Sequence, residues 1–394
     1  MMDTDAPETP VLATEFEDDV IALLAETLRR AVKRERRTVG TEDLLSELVM
    51  GDSEAGEALT PGMRAAGALS GLIAGRSDAP WAHDDEGNPD GPAAEPSDEA
   101  EAVAVWREAR WRVAHGGRGL SPAEDGAWPE PTGALRQSLL HALALARREG
   151  TPSVRCRHVA RALVETPGTR AAEALALRKI STATASAALD ALDARVADEP
   201  APPSRALALL VHAGTLGKEG RSGWLMRAVL SWTSSMDGTV LTAVSLEARR
   251  RAVRCGRAAA EPVDLLLALP ALDRALSVAG RSLPADVASA NDAARLLGAY
   301  GARPDSLARR TVMATAAFGP VPAGSERPLS PHTEQIVARA RLLAAEQGDD
   351  SSFGTVHVLA ALLDDEGGEA ARLLREEGVD VAALRERLPR RPGA

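Results

Sequence analysis

Aromatic residues are scarce in this 394-residue sequence, where six Trp, three Phe and one Tyr make up 3% of the total. The hydrophobic fraction is nevertheless 45%, which is enough for real cores, and these must be built from Leu, Ala and Val. Strands prefer β-branched and aromatic residues, whereas Ala and Leu are among the strongest helix formers. The composition therefore predicts close-packed helices and an all-α fold.

The sequence also has few cysteines, no long apolar run and no excess of positive charge. Its two cysteines, Cys156 and Cys255, lie far apart and form no CxxC pair, so a disulfide framework is not expected. No apolar run approaches the roughly 20 residues of a membrane-spanning helix, and the acidic N-terminal residues lack a signal-peptide core. The net charge of −11 argues against nucleic-acid binding. We therefore expect a soluble cytoplasmic protein without membrane or nucleic-acid partners, and the Ala- and Arg-rich, Lys-poor composition indicates a bacterial genome.

Motifs of enzyme chemistry are missing as well. The metalloprotease motif HExxH and the hydrolase motif GxSxG are both missing, and the seven histidines show no metal-ligand spacing. No Ser/His/Asp arrangement typical of a catalytic triad can be recognised either. We therefore predict a binding protein without catalytic residues, metal ions or cofactors. Two alternatives stay open: an enzyme, such as a hydrolase, with an unrecognised site on a helical-repeat scaffold, and a regulatory helical-repeat protein.

One sequence motif, which spans two predicted helices, occurs twice in the chain. Residues 38–59 read TVGTEDLLSELVMGDSEAGEAL, and residues 352–374 read SFGTVHVLAALLDDEGGEAARLL. Both run from Gly-Thr through an apolar helix and an acidic, Gly-containing turn into a second helix rich in Ala and Leu. Weaker copies, matched by register and helix length, lie at residues 134–197 and from about residue 240. Such self-similarity is typical of a duplicated helical unit, so we predict four degenerate repeats.

Proline-rich and glycine-rich segments separate these repeats, and we predict that the repeats pair into two pseudo-twofold helical domains. The predicted segments are a disordered lead at 1–14, a first domain at 15–197 with a mobile, loop-rich insertion at 75–133, a linker at 198–203, extra helices at 204–236 and a second domain at 237–390. One helix, at residues 98–114, is predicted inside the insertion.

The pattern of a long helix, Gly-Thr-Glu before an apolar helix, an acidic turn and Ala-Ala-x-x-Leu resembles the Clp N-terminal repeat. That repeat occurs in pairs in the N-terminal domain of Clp-type AAA+ unfoldases, so the resemblance implies two tandem domains of this type. The ATPase modules of those unfoldases need a GxxxxGK[ST] loop that cradles phosphate. The nearest segment, GTLGKEG at residues 214–220, lacks the leading Gly and the Ser/Thr after Lys218. We therefore expect a free-standing N-domain protein without a motor.

The resemblance also implies ligand-binding residues. In some family members the Gly-Thr-Glu turn binds phosphoarginine, because N–H groups at a helix start hold the phosphate and a carboxylate holds the guanidinium. The candidate ligand-binding residues are Thr41, Glu42, Asp43 and Thr355. Only the first repeat keeps the glutamate, since the other three positions carry Arg157, Val263 and Val356. The structural alternative is that Thr41 caps the helix while its acidic neighbours offset the helix dipole.

The partners implied by the resemblance are protein or peptide ligands of the Clp proteolytic machine. They comprise Clp unfoldase components, phosphoarginine-marked proteins and cyclic peptide antibiotics that target such domains, and this protein would act on them as an adaptor, decoy or sequestering factor. The candidate partner contacts are Phe16, Trp106, Trp111 and Arg157. The Trp residues of the insertion either fold back as a lid over the repeat or present a partner-binding motif.

Overall fold

The computed structural model describes residues 14–61, 68–76, 81–83, 85–87, 95–115, 127–196, 199–216, 236–304, 306–308, 328–346 and 353–389. Most of these residues lie in helices, which confirms the all-α prediction. Their contacts divide the chain into an N-terminal unit, Thr14–Pro202, and a C-terminal unit formed by the described residues from Pro203 on. The division falls inside the predicted linker at 198–203. The predicted lead, apart from Thr14, and residues 217–235 of the predicted extra helices lie outside the described residues.

The N-terminal unit consists of helices joined by two-residue strands. In chain order these are β1 Glu15–Phe16, α1 Asp18–Lys33, β2 Thr38–Val39, α2 Thr41–Met50, α3 Glu54–Leu59, α4 Ala68–Gly75, α5 Pro96–His115, β3 Glu130–Pro131, α6 Gly133–Arg148, β4 Ser153–Val154, α7 Cys156–Glu165, α8 Arg170–Leu177 and α9 Thr182–Val196. The hydrophobic spacing of residues 15–36 predicts a longer first helix than the one observed. The reason is that Glu15 and Phe16 are extended and pair with β4.

The short strands tie the two halves of this unit together. β1 pairs in parallel with β4, and β2 pairs in parallel with β3. Each strand lies directly before a helix, so the segment before α1 meets the segment before α7, and the segment before α2 meets the segment before α6. This reciprocal pairing is the arrangement that a pseudo-twofold pair of repeats would give.

The core of the N-terminal unit includes the helix of the predicted insertion. Helix α5 packs against α1 and α6, and small residues such as Ala102 and Ala109 on α5 allow close approach. Trp106, in the same helix, is fully buried. The helix predicted at 98–114 is therefore present as α5 and belongs to the core, and the mobile, loop-rich character predicted for the rest of segment 75–133 stays a prediction.

The C-terminal unit also consists of helices, and two of the segments that precede helices pair in parallel. Its helices are α10 Arg205–His212, α11 Met236–Arg254, α12 Pro262–Val278, α13 Ala285–Ala288, α14 Ala293–Ala299, α15 Pro331–Glu346, α16 Thr355–Leu363, α17 Glu369–Glu376 and α18 Val381–Glu386, with a 3-10 turn at Ser289–Asn291. A parallel bridge joins Ala260, before α12, to Leu329, before α15. Helices α11 and α12 pack together along a core made almost entirely of Leu, Ala and Val.

No helix among the residues that the structure describes is long and apolar enough to cross a membrane.

Candidate functional site

The start of α2 is where the resemblance predicts ligand binding. Gly40 has extended backbone angles and is the N-cap residue, so the prediction that Thr41 caps this helix is wrong. Asp43, at the third helical position, accepts a hydrogen bond from the Gly40 N–H over 3.2 Å. Both carboxylate oxygens of Asp43 also accept from Arg36, at 2.6 and 2.7 Å. Asp43 therefore closes the helix start and is itself held by an arginine.

The same contact recurs at three other helix starts. The N–H of the N-cap residue donates to the side chain three residues later, from Arg155 to His158 Nδ1 (2.8 Å), from Glu261 to Asp264 Oδ2 (3.0 Å) and from Gly354 to His357 Nδ1 (3.1 Å). Asp and His alternate at this position along the four helices. The recurrence supports the four-repeat interpretation, which stays a prediction for the three copies that precede α15.

Sequence reasoning missed this contact. The signal that could have identified it is an Asp or His at the third position of each of the four helices. In two of the helices an arginine also lies seven residues before this Asp. Arg257 bonds Asp264 just as Arg36 bonds Asp43. The Nδ1 atom of His158 accepts a hydrogen bond from the Arg155 N–H, and its Nε2 atom lies 3.0 Å from Glu149 Oε2. These contacts indicate the tautomer that carries its proton on Nε2.

Thr41 lies in the first turn of α2 and is fully buried. Its hydroxyl donates to Asp85 Oδ2 over 2.7 Å and accepts from the Ala171 N–H over 3.0 Å, while its own N–H donates to Asp85 over 2.7 Å. The N–H of Arg170, the first residue of α8, donates to the other oxygen of Asp85 over 2.8 Å. The Asp85 carboxylate thus sits between the starts of α2 and α8, where the field of two helix N-termini favours an anion.

Thr355 has the corresponding position in the C-terminal unit. Its N–H donates to Asn291 Oδ1 over 3.0 Å, and its hydroxyl accepts from the Ala293 N–H at the start of α14 over 3.3 Å. Each threonine thus joins its own helix to the start of another helix. The acceptor differs between the two units, because Asp85 is a carboxylate and Asn291 is a neutral amide.

Glu42 is a buried carboxyl group beside this junction, with 1% of its surface exposed. Its Oε1 lies 3.5 Å from Arg170 and 3.7 Å from Arg36, and its Oε2 has no hydrogen-bond partner among the described residues. Burial, together with the nearby charges of Asp43 and Asp85, raises the pKa of Glu42 to about 7. Below neutral pH this group is therefore mostly protonated, and it is not an exposed carboxylate ready to receive a guanidinium.

The structure places the predicted partner contacts in environments that differ in burial. Phe16 is 1% exposed and Trp106 is 0% exposed, so both are core residues and the prediction that they contact a partner is wrong. The burial of Trp106 favours the alternative in which the insertion folds back onto its own domain. Trp111 is partly exposed on the outer side of α5, with its ring 5.4 Å from the ring of His115.

Arg157 is held by two carboxylates of its own unit. It bonds Glu149 over 2.6 Å and Asp193 over 2.8 Å, and only 10% of its side chain is exposed. Burial by itself would raise the pKa of Glu149, but hydrogen bonds from His158 and Arg157 outweigh it and lower this pKa to about 2. Arg157 therefore has a structural role at the start of α7.

A groove of about 480 Å³ lies in the N-terminal unit between α1, the turn before α3, the start of α7 and α9. Its apolar lining consists of Ala22, Leu23, Ala55, Leu192, Val196 and Pro202. Its carboxylates are Asp19, Glu26, Glu47, Asp52, Glu54 and Glu199. We call this the acidic groove, because those six carboxylates face only two lining guanidinium groups, Arg155 and Arg157. Sequence reasoning missed it, since its residues come from four separate segments.

The acidic groove contains a thiol that is poorly suited to nucleophilic chemistry. Burial, together with the nearby charge of Asp19, raises the pKa of Cys156 well above its ordinary value, whereas reactive cysteines have lowered pKa values. Among the described residues, no cluster of three or more His, Cys, Asp or Glu side chains could hold a metal ion. The lining of the groove thus combines an apolar floor with charged side chains at its rim.

Residues 329–391 match the family described as the Clp repeat (R) N-terminal domain. The matched segment includes α15 to α18 and the helix start at Gly354–His357. This segment is a Clp N-terminal repeat, as the resemblance predicts, and repeats of this kind mediate protein interactions.

Proposed function

We propose that this protein is a non-enzymatic binding protein of the Clp N-domain type, which acts in the bacterial cytoplasm as an adaptor, decoy or sequestering factor for the Clp proteolytic machine. The observation that carries the proposal is the Clp repeat at residues 329–391, together with the recurrence of its helix-start contact at three other helices. The sequence lacks a P-loop, so binding is the activity that these repeats offer.

The nature of the ligand is the finer part of the proposal. Partners of three kinds fit the family: Clp unfoldase components or their clients, phosphoarginine-marked proteins, and cyclic peptide antibiotics that target Clp N-domains. For phosphoarginine, the N–H groups at the starts of α2 and α8 already donate to Asp85, and Glu42 is buried. A phosphoarginine at this first site would have to displace Asp85, so we favour a protein segment bound elsewhere on the surface.

A degradation assay tests the proposal and separates its forms. A Clp unfoldase and its protease degrade a phosphoarginine-marked substrate and an unmarked one while this protein is added in increasing amounts. An adaptor raises the degradation rate, whereas a decoy or sequestering factor lowers it once its concentration exceeds that of the substrate. A cyclic peptide antibiotic added to the same reaction shows whether this protein relieves the effect of the drug.

The controls use the same reaction. Heat-unfolded protein and an unrelated acidic protein are expected to leave the rates unchanged. The proposal is contradicted if native protein changes neither rate, does not relieve the antibiotic, and retains no Clp component when it is used as bait with the purified machine.

A further inference from the structure

The acidic groove has a floor that a partner side chain could cover. Leu23 and Val196 are only partly buried, although both pack on the core of the N-terminal unit, and Leu192 lies buried beside them. Burying an aliphatic side chain against such a surface favours a complex, because it removes apolar area from water. The volume of about 480 Å³ admits a few side chains, not a folded domain.

The rim of the groove carries more negative than positive charge. Six carboxylates against two guanidinium groups leave four formal negative charges on the lining. Both of those arginines are already engaged: Arg155 bonds Asp19 and the Pro200 carbonyl, and Arg157 bonds two carboxylates outside the groove. They are therefore not available to neutralise the other lining carboxylates.

Arginines from outside the lining approach some of these carboxylates, but from exposed positions. Arg195 bonds Glu54 over 2.7 Å, and Arg29 bonds Glu26; both partners are at least partly exposed in each pair. Exposed ion pairs of this kind contribute little to stability. Arg30 bonds Glu47 over 2.6 Å, and 36% of the Arg30 side chain is exposed. Glu47 itself is buried, and burial raises its pKa in spite of Arg30. An incoming cation could therefore replace Arg30 beside a carboxylate that water solvates poorly.

We propose that the acidic groove binds a short amphipathic segment of a partner protein, with an aliphatic residue on Leu23 and Val196 and basic residues on either side of it at the carboxylate rim. The inference rests on the proposed binding function and names the chemistry of the bound segment. The charge of the rim repels nucleic acid and acidic peptides, and the apolar floor gives no advantage to a purely hydrophilic cation.

Fluorescence anisotropy of labelled peptides tests the inference on the full chain. The probe is a fluorescein-labelled helical peptide of Leu, Arg and Ala, and two comparison peptides carry Glu in place of each Arg or Ser in place of each Leu. The first is expected to bind saturably and more weakly as salt is raised, and each comparison peptide to bind at least about tenfold more weakly. Hydrogen exchange is expected to slow at residues 19–26 and 192–196 when the first peptide binds.

Two double variants locate the binding site. Glu26→Lys with Asp52→Lys reverses charge on the rim, and Leu23→Ser with Val196→Ser removes the apolar floor; all four positions are at least partly exposed. Each pair is expected to weaken binding at least about tenfold. A matched control, Glu334→Lys with Leu342→Ser on exposed positions of α15, is expected to stay within about twofold. Unchanged circular dichroism and thermal melting verify that each variant folds.

Other outcomes overturn the inference in distinguishable ways. Equal binding of the Glu peptide, or groove variants that bind as well as the control variant, would show that the acidic groove is not the site. Competition by free arginine amide at the same concentration as the peptide would indicate a site for small cations instead. If the groove variants still alter Clp degradation, the proposed function stands without this site; if the unaltered protein binds no peptide and leaves degradation unchanged, both fail.

Discussion

Replacing Glu42 with glutamine is expected to stabilise the N-terminal unit increasingly as pH rises from about 5 to about 8. The folded-state pKa of Glu42 is raised from 4.5 to about 7, first by burial and then by Asp43 and Asp85. Between these two values the folded state binds more protons than the unfolded state, so the contribution of Glu42 to stability is present below pH 4.5 and is lost as pH rises through 7. Glutamine has nearly the same size and carries no titrating proton, so its contribution does not change with pH.

The size of the effect follows from the shift. Each pKa unit corresponds to about 1.4 kcal/mol, which puts the whole shift at about 3 kcal/mol, of which roughly 2–3 kcal/mol falls between pH 5 and 8. The difference between the free energies of unfolding of E42Q and the unaltered protein is expected to grow by this amount over that range. Any constant offset from the amide group cancels in the comparison between the two pH values.

Urea unfolding followed by tryptophan fluorescence measures this difference. Four of the six tryptophans, at positions 81, 106, 111 and 128, belong to the N-terminal unit, so the signal mainly reports its unfolding. Glu57→Gln on α3, at an exposed position, is the matched control for the loss of one carboxylate from the same unit. If the E42Q difference does not change with pH, Glu42 is ionised at neutral pH and the burial argument is wrong.

Three further predictions concern the same framework. Trp106→Ala is expected to destabilise the N-terminal unit by about 3–5 kcal/mol in urea unfolding, because it empties a fully buried site; a loss below about 1 kcal/mol would contradict its place in the core. Asp85→Ala leaves the N–H groups of Thr41 and Arg170 without an acceptor, which is expected to lower the free energy of unfolding by about 1–3 kcal/mol for each group. Inorganic phosphate is expected to raise the melting temperature of this variant but not that of the unaltered protein. If phosphate changes neither melting temperature, the two helix starts do not form an anion position. Gly354→Ala is expected to cost about 1–3 kcal/mol, because its Cβ would lie 2.1 Å from a backbone carbonyl oxygen. Gly40→Ala is expected to cost less, because the atoms nearest to its Cβ belong to the end of the Glu42 side chain, which can rotate more easily than backbone can shift; equal thermal melting of the two variants would contradict this expectation.

Much of the helical framework could be predicted from local sequence signals. The apolar spacing and the Gly-Thr break predict α2 and its end near Met50, although they put the N-cap at Thr41, one residue after the observed Gly40. Ser330 with Pro331 marks the start of α15, where the Ser330 hydroxyl accepts from the Thr333 N–H. Gly378 follows α17 with a φ of 81°, as expected of a helix-ending glycine. These features depend on neighbouring residues in the chain, so the sequence alone was sufficient.

The extended pairs at helix starts could not be predicted in the same way. Glu15 and Phe16 continue the hydrophobic spacing of α1, and only their pairing with Ser153 and Val154, far along the chain, makes them extended. The place of α5 in the core could not be decided from the sequence for a related reason. The Pro, Gly and acidic residues around this helix are typical of loops, and its packing depends on the surface that α1 and α6 present to it.

The sequence by itself determined that this chain is helical, that its cores are made largely of Leu, Ala and Val, and that residues 329–391 match the Clp N-terminal repeat, because these properties follow from composition and short-range spacing. Only the tertiary structure decided what the candidate residues do. It buried Thr41 and Glu42 behind Asp85, a residue 44 positions away from Thr41, and it joined four segments into the acidic groove. Exposure, the pKa of a buried carboxyl group and the charge of a groove all depend on which distant residues surround a side chain, and the folded chain alone brings those residues together.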